Sequence, residues 1–106
     1  MKKAIVIKWN RREKPARHNL RAMLQKEGVE PYEFVFPQNS HYGNHTHPTD
    51  EARIIAQGKM LMGIVEENKT RHILLEPGDK ILIPKNTIHW AKAIGDVVCL
   101  CASKEN

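Results

Sequence analysis

The stretch that decides the fold is His45-Thr46-His47-Pro48-Thr49-Asp50-Glu51, which leads into a β-prone run that ends near Gly58. Side chains alternate in direction along a strand, so a strand through this stretch places the imidazoles of His45 and His47 on one face. Imidazoles two residues apart are a natural pair of ligands for a transition metal. Glu51 can return a carboxylate to the same point. These residues predict one half of a metal site.

A second segment supplies the remaining group. From Gly78 to His89 the chain contains a turn, an apolar strand, another turn and a histidine that opens a further strand. In a β-sandwich two such hairpins can face each other. This arrangement would bring His89 across to the first three groups.

The chain around these segments has the pattern of an all-β domain. Short β-prone runs follow one another near residues 32–37, 41–47, 51–57, 59–66, 69–76, 80–84, 88–94 and 96–102. Turn signals separate them, including Gly58 and Gly95-Asp96. Many short strands at this spacing predict an antiparallel sandwich or barrel, because each strand has one face to bury.

Residues 1–30 have a different character. Ala4 to Trp9 predicts an edge strand, and Pro15 suits the first position of a helix. We predict one short amphipathic helix over residues 15–27. Its apolar side is formed by Ala16, Leu20, Met23 and Leu24. We expect this N-terminal part to pack on a barrel formed by residues 31–106.

The two segments resemble the paired motifs of the cupin superfamily, and with their flanking strands they cover roughly residues 32–102. The first family motif is G-x5-H-x-H-x3-E-x6-G, matched here at His45, His47, Glu51 and Gly58. The second is G-x5-P-x-G-x2-H-x3-N, matched here at Gly78, Pro84 and His89. The order of the two motifs and the short hairpin between them also agree with the family.

The resemblance implies a jelly-roll β-barrel that binds one divalent metal ion per chain. Carried onto this sequence, the ligands are His45, His47, Glu51 and His89. Three imidazoles and one carboxylate suit Fe(II), Mn(II), Ni(II), Co(II) or Zn(II), and disfavour calcium and magnesium, which prefer oxygen ligands. In an octahedral arrangement this ligand set would leave two positions open for substrate or dioxygen.

Three positions depart from the family pattern. Asn39 and Asn86 stand where glycine is usual, and Ala93 stands where asparagine is frequent. Asparagine adopts left-handed backbone conformations more readily than most residues with a side chain, so we expect the turn at Asn86 to survive, while Gly43 lies close to Asn39. None of the three is a ligand position.

Two further residues are candidate catalytic groups. Arg53 is two residues after Glu51, so strand alternation puts both on one face, where the guanidinium could bind an anionic or carbonyl-bearing ligand. A bulge could instead turn Arg53 to solvent. His72 could act as a general base or support the metal site, or it could be an ordinary half-exposed histidine. Trp90, next to His89, should point away from the metal.

Composition excludes several classes of protein. Hydrophobic residues make up 41% and charged residues 27% of the 106 residues, which is typical of a globular domain. No apolar stretch could span a bilayer, and the apolar run Ala4–Ile7 is too short for a signal peptide, so we predict a cytoplasmic protein with no membrane partner. Cys99 and Cys101 are awkwardly spaced for a disulfide and are expected as reduced thiols. A soft-metal site on this pair would lack partner cysteines.

The formal net charge of +5 is concentrated near the N-terminus. Residues 1–30 carry nine Lys/Arg and three Glu, a net +6, whereas residues 31–106 carry eight Lys/Arg and nine Asp/Glu, a net −1. A phosphate-binding stripe could be formed by Arg11, Arg12, Lys14, Arg17 and Arg21. There is no DNA-reading motif, so a solvated helix face is favoured and nucleic acid is an unlikely partner.

These features predict a metal-dependent enzyme, an oxidoreductase of the dioxygenase type or an isomerase, acting on a small, polar, oxygen-rich molecule. The alternative is a non-catalytic, metal-dependent binding or sensor module, because the fold alone does not decide between them. Both faces of the 59–66 run are apolar, so one must be covered by the helix or by a second subunit. We predict a homodimer.

Overall fold

The computed structural model describes residues 3–104, and within that range the chain forms one helix and seven strands. The elements are β1 (Ile5–Ile7), α1 (Arg17–Lys26), β2 (Tyr32–Phe36), β3 (His41–His45), β4 (Asp50–Glu66), β5 (Lys69–Leu75), β6 (Lys80–Ile83) and β7 (His89–Lys104). Every strand pair is antiparallel. The predicted all-β fold with one short N-terminal helix is confirmed.

The sheet is organised around the two longest strands, β4 and β7. The strand order is β1-β6-β4-β7-β2, with β3 also paired to β7 and β5 also paired to β4. The pairing of β4 with β7 runs from Asp50 opposite Lys104 to Ile64 opposite His89. Because β7 also pairs with β3, His89 lies opposite His45 as well. Strand β1 is at an edge, as predicted.

The prediction of separate strands on either side of Gly58 and of Gly95 was wrong. Both β4 and β7 run through these glycines, which have φ angles of 77° and 74°. The register between the two strands shifts on both sides of Gln57, so the irregularity is a bulge within the ladder. Left-handed glycines bend the strands here while pairing continues on both sides.

The turn at Asn86 forms as expected, and Asn39 has a similar backbone conformation. Asn39 and Asn86 have φ angles of 66° and 63°, which is the left-handed conformation that glycine would otherwise supply. The backbone N–H of Asn86 also donates to the carbonyl oxygen of His47 at 2.7 Å. The second turn is therefore tied directly to the loop that carries a predicted ligand.

The barrel interior is filled by side chains from the facing strands. The buried apolar cluster includes Ile55, Met60, Met62, Ile64, Leu75, Ile81, Ile83, Ala91, Val97 and Cys99. His89 is fully buried beside this cluster. A buried imidazole needs polar partners, because burial without a hydrogen bond costs free energy.

The helix α1 covers part of the outer face of the barrel. Leu20 and Leu24 are fully buried against Ile54 of β4 and Leu100 of β7. The helix begins two residues later than predicted, because Ala16 is still extended and caps the helix, so Pro15 lies before it and not at its first position. The helix does not cover Gly63 on the predicted apolar face of β4; the ring of Trp90 lies directly over that glycine.

Carboxylates of the chain itself partly neutralise the basic N-terminal segment. Arg17 lies 3.4 Å from Glu33 and Arg21 lies 3.7 Å from Glu30. These contacts support the expectation of a solvated helix face. No helix within the described range is long and apolar enough to cross a membrane.

Asp79 links the N-terminal segment to the barrel through hydrogen bonds. Its buried carboxylate accepts hydrogen bonds from Lys8 Nζ at 2.5 Å and from the backbone N–H groups of Trp9 and Glu76, each at 2.8 Å. Burial opposes ionisation of this group, but the hydrogen bonds from Lys8 and the two backbone donors outweigh it, so the pKa of Asp79 is lowered. The ring of Trp9 then packs over Gly78.

The bend at Gly58 predicts a difference between two glycine-to-alanine variants. A Cβ at Gly58 would collide with the carbonyl oxygen of Asp96 and lie 3.1 Å from Val97 Cγ2, whereas a Cβ at Gly95 would meet nothing within 4 Å. Both positions have a left-handed φ, so Gly95→Ala measures the conformational cost alone, about 1 kcal/mol. Gly58→Ala should cost about 1–3 kcal/mol more, since backbone must move.

Urea unfolding of the two variants at neutral pH measures this difference directly. Equal losses in the free energy of unfolding would show that the close approach of β4 and β7 at Gly58 is not a packing constraint.

Candidate metal centre

Three histidines from two parts of the chain, the segment around residues 45–47 and the start of β7, meet inside the barrel. The ring centroids of His45 and His89 are 4.2 Å apart, those of His45 and His47 are 4.9 Å apart, and those of His47 and His89 are 5.2 Å apart. One ring nitrogen of each lies within 4.8 Å of a ring nitrogen of the other two. Such a cluster of imidazoles can hold one transition-metal ion.

The backbone brings the three rings together by two routes. His45 ends β3 and lies opposite His89, the first residue of β7. His47 lies in the loop after β3, so the expectation that one strand carries both His45 and His47 was wrong. The loop is held by the hydrogen bond from Asn86 to the His47 carbonyl oxygen, and the His47 ring still reaches the other two.

Hydrogen bonds from the Nδ1 atoms to backbone carbonyl oxygens fix the tautomers of two of these rings. His45 Nδ1 lies 2.7 Å from the carbonyl oxygen of Gly43, and His89 Nδ1 lies 2.9 Å from that of Thr87. A carbonyl oxygen only accepts, so both Nδ1 atoms carry the proton. The Nε2 atoms of His45 and His89 therefore present lone pairs.

The third ring reaches the same state by another contact. Arg53 Nη2 donates to His47 Nε2 at 3.3 Å, which requires a lone pair on that nitrogen. The proton of neutral His47 is then on Nδ1, which lies 3.4 Å from Glu51 Oε1. A carbonyl or carboxylate behind the ring is the usual support for a metal-binding imidazole.

Burial lowers the pKa of two of these imidazoles, those of His47 and His89. Removal from water lowers the pKa of His89 to about 4, although its hydrogen bond to Thr87 acts in the opposite direction. Burial also lowers the pKa of His47, against the attraction of Glu51. Neutral imidazole is the form that binds metal, so the cluster is ready for a cation at neutral pH.

The buried Nε2 atom of His89 tests whether a metal fits. It has no hydrogen-bond partner among the described residues. A buried lone pair without a donor is unfavourable, and a metal ion in reach of all three Nε2 atoms would satisfy it. The residues present therefore fit a transition-metal ion with nitrogen ligands.

Glu51, the fourth predicted ligand, is not part of the histidine cluster. Its buried carboxylate accepts a hydrogen bond from Ser103 Oγ at 2.7 Å and faces the Nδ1 side of His47, away from the Nε2 lone pair. The register explains this placement, because Glu51 of β4 lies directly opposite Ser103 of β7. In this arrangement the carboxylate lies on the side of His47 that carries the Nδ1 proton.

Arg53 lines the same cavity as His45 and His47. The cavity has a volume of about 510 Å³. Its polar wall is formed by His41, His45, His47 and Arg53, and its other walls by Tyr32, Phe34, Phe36, Tyr42, Gly43, Ala91 and Cys101. Of the two alternatives left open for Arg53, strand alternation onto the inner face and a bulge toward solvent, the structure has the first.

The structure does not bring His72 to this cluster. His72 lies opposite Gly63 on β5, is exposed, and has its ring 5.7 Å from that of Trp90. Trp90 points away from the metal centre, as predicted. Both rings lie on the outer face, because the alternate residue His89 points inward.

The two thiols lie in the interior close to Arg53. Cys99 and Cys101 are free, buried and have sulfur atoms 3.2 Å apart. Their mutual hydrogen bond lowers the pKa of Cys101, with help from the Arg53 charge, and the same interaction and burial raise the pKa of Cys99. The expected reduced thiols are present, and Cys101 also lines the cavity.

Sequence reasoning missed the groups that orient the ligands. Ser103 and the carbonyl oxygens of Gly43 and Thr87 all contact a histidine or Glu51. A backbone carbonyl has no sequence signature. Ser103 could have been found only by pairing β4 with β7 in the correct register.

Comparison with known proteins agrees with this geometry. The family model described as Cupin matches residues 6–106. Among curated proteins, an acireductone dioxygenase from Trichodesmium erythraeum is 43% identical over 47 residues, which are 43% of this chain and 26% of that protein. The chain spans less than half the length of each of the four curated relatives that it matches.

Solved structures show the same fold at low identity. A cupin superfamily protein from Desulfitobacterium hafniense has a TM-score of 0.64 and 15% identity, over 98% of this chain and 79% of that one. An oxalate oxidase has a TM-score of 0.64 and 21% identity, over 73% of this chain and 42% of that one. With nearly the whole sequence matched by the family model and a three-histidine centre inside its barrel, the chain belongs to the cupin family.

Proposed function

We propose that this cupin is a metal-dependent enzyme of the dioxygenase type that acts on a small, oxygen-rich molecule. The observation that carries the proposal is the convergence of three imidazoles, with one ring nitrogen of each within 4.8 Å of one on the other two, beside a cavity of about 510 Å³. A cavity of this size suits a small substrate. The ion would be Fe, Mn, Ni, Co or Zn in its divalent state, because nitrogen ligands favour these metals.

Two of the similar proteins support oxidative chemistry. The relative that is 43% identical over 47 residues is named acireductone dioxygenase, and a protein with the same fold is named oxalate oxidase. Both names describe oxidation of a small molecule. The isomerase chemistry that the sequence also allowed would use the same centre, and oxygen consumption separates the two.

The residues of the chain divide the work of the site. His45, His47 and His89 would hold the metal, which when bound supplies a Lewis acid and positions for a chelating substrate. Glu51 keeps the His47 ring in place through its contact with Nδ1. Arg53 is placed to touch the substrate from the cavity wall.

Other parts of the sequence interpretation stay predictions. These are the cytoplasmic location, the homodimer, the absence of a nucleic-acid partner and the role of Glu51 as a direct ligand. His72 also stays a prediction as a catalytic residue, and its position outside the cavity gives it no contact with the proposed centre.

Replacing one histidine should remove the metal. His89→Ala deletes the fully buried lone pair of the cluster, so we expect the affinity for Co(II) or Zn(II) to fall at least about 100-fold. His18→Ala is the matched control, because His18 is exposed on α1 and distant in sequence from the cluster. Competition with a chromophoric chelator measures both affinities. Unchanged binding by His89→Ala would contradict the metal centre.

The role of Glu51 can be read from a conservative variant. Glu51→Gln keeps one side-chain oxygen, which can face His47 Nδ1 while the amide N–H donates to Ser103 Oγ, so a residue that only orients His47 should cost about 10- to 100-fold in metal affinity at most. Loss of metal as complete as in His89→Ala would instead make Glu51 a direct ligand.

Activity is tested by oxygen uptake. Protein loaded with Fe(II) under nitrogen is mixed with oxygenated buffer and a panel of diketones and catechols, while an oxygen electrode and mass spectrometry follow consumption and products. We expect consumption above that of Fe(II) in buffer, and none above this background with His89→Ala. Binding of panel compounds without any chemical change would favour the binding or sensor module, and conversion without oxygen would favour an isomerase.

A further inference from the structure

Arg53 has the most unusual environment in the cavity. It lies on β4 between Ile81 of β6 and Cys101 of β7, so it projects from the middle of the sheet and not from its rim. Its Nε atom is buried and has no hydrogen-bond partner among the described residues. No carboxylate in the described part of the chain lies within ion-pair distance of its guanidinium. A guanidinium in such a place is poorly satisfied.

Within residues 3–104, the one side-chain hydrogen bond of Arg53 competes with metal binding. Arg53 Nη2 donates to the lone pair of His47 Nε2 at 3.3 Å. An imidazole nitrogen has a single lone pair, so His47 Nε2 cannot accept from Arg53 and bind a metal at the same time. Metal binding through this nitrogen therefore releases Arg53 Nη2, which leaves the guanidinium with two free donors, Nε and Nη2.

Charge adds to this conflict. Arg53 contributes +1 and a divalent ion contributes +2, while the nearest carboxylate, Glu51, contributes −1 and is already engaged by Ser103. The sum with three neutral imidazoles is +2 in a partly buried cavity. Like charges repel strongly where water is scarce. One anion next to both cations would reduce the repulsion between them. It would also accept hydrogen bonds from the Nε and Nη2 atoms of Arg53.

The rest of the cavity wall indicates what the anion carries. Phe34 and Phe36 have ring centroids 4.6 Å apart, and Tyr42 meets Phe36 edge-on at 5.1 Å. All three rings line the cavity. Aromatic rings around a few polar groups are the usual lining for a small ligand with an apolar body.

Building on the proposed function, we propose that Arg53 is the anion-binding residue of the site and that the substrate is a carboxylate with an apolar body. Its carboxylate would take the donors that Arg53 gives up at His47, and its apolar body would lie against Phe34, Phe36 and Tyr42. Anion and metal should then bind cooperatively. The anion offsets the repulsion between the metal and Arg53, and the metal frees the Arg53 donors that bind the anion. By thermodynamic linkage, each must raise the affinity of the other by the same factor.

The test measures this coupling and needs no turnover. The zinc affinity of the protein is determined by chelator competition with and without mandelate, and the mandelate affinity by calorimetry with and without zinc. In the wild type we expect mandelate to raise the zinc affinity about 10-fold, within the usual range of coupling, with the same factor in the reverse direction. The neutral analogue 1-phenyl-1,2-ethanediol should have no effect.

Two variants assign the coupling to the guanidinium. Arg53→Met removes the charge and the donors while keeping a long side chain, so zinc should bind more tightly than in the wild type without mandelate, and mandelate should no longer help. Arg53→Lys keeps the charge without the paired donors, so it should retain only part of the coupling. Equal coupling in wild type and Arg53→Met would overturn the proposal.

A ligand comparison and a metal-free measurement complete the test. Glycolate, which lacks the phenyl ring, should couple more weakly than mandelate, and equal effects would overturn the assignment of the apolar body. If the wild type binds no zinc, the proposed metal function fails. Mandelate binding that is lost in Arg53→Met would then still support the anion site, and binding unaffected by the substitution would overturn it.

Discussion

The structure depends on the long antiparallel pairing of β4 with β7 and on the bend within it. The ladder runs from Asp50 opposite Lys104 to Ile64 opposite His89, and without the bend its two ends would be far apart. Left-handed glycines at 58 and 95 fold it over, so that the start of β4 and the start of β7 face the same interior. Glu51 can thus touch the His47 ring, which in turn neighbours that of His89.

Contacts at the Nδ1 atoms orient the three imidazoles so that they can bind one metal ion. Two backbone carbonyls and one carboxylate lie beside the three Nδ1 atoms, which leaves three Nε2 lone pairs inside the barrel. Lone pairs gathered in one place attract a cation, and burial lowers the pKa of His47 and His89, which favours the neutral, metal-binding form of both rings. The exception is His47 Nε2, which Arg53 occupies. Because of this contact, the Arg53 guanidinium and a metal ion would compete for the same nitrogen atom, His47 Nε2.

The sequence was informative where a function requires a local pattern. The two motifs singled out His45, His47 and His89, and these three residues do meet. For Arg53 the sequence left two alternatives, the inner face by strand alternation from Glu51 and a bulge toward solvent. It was less informative where backbone geometry decides. The glycines at 58 and 95 look like turns because the same left-handed conformation serves a turn and a bulge. Contacts such as that of Ser103 with Glu51, or of Thr87 with His89, depend on register and on carbonyl positions, which no side-chain pattern specifies.

Anomalous diffraction from crystals of the protein loaded with Co(II) or Zn(II) tests the central claim most directly. We expect one anomalous peak per chain inside the barrel, from a metal ion bonded to the Nε2 atoms of His45, His47 and His89. The Nδ1 contacts to Gly43 and Thr87 should be retained. Either the absence of a peak at full loading, or a peak at the sulfur atoms of Cys99 and Cys101 instead of the histidines, would contradict it.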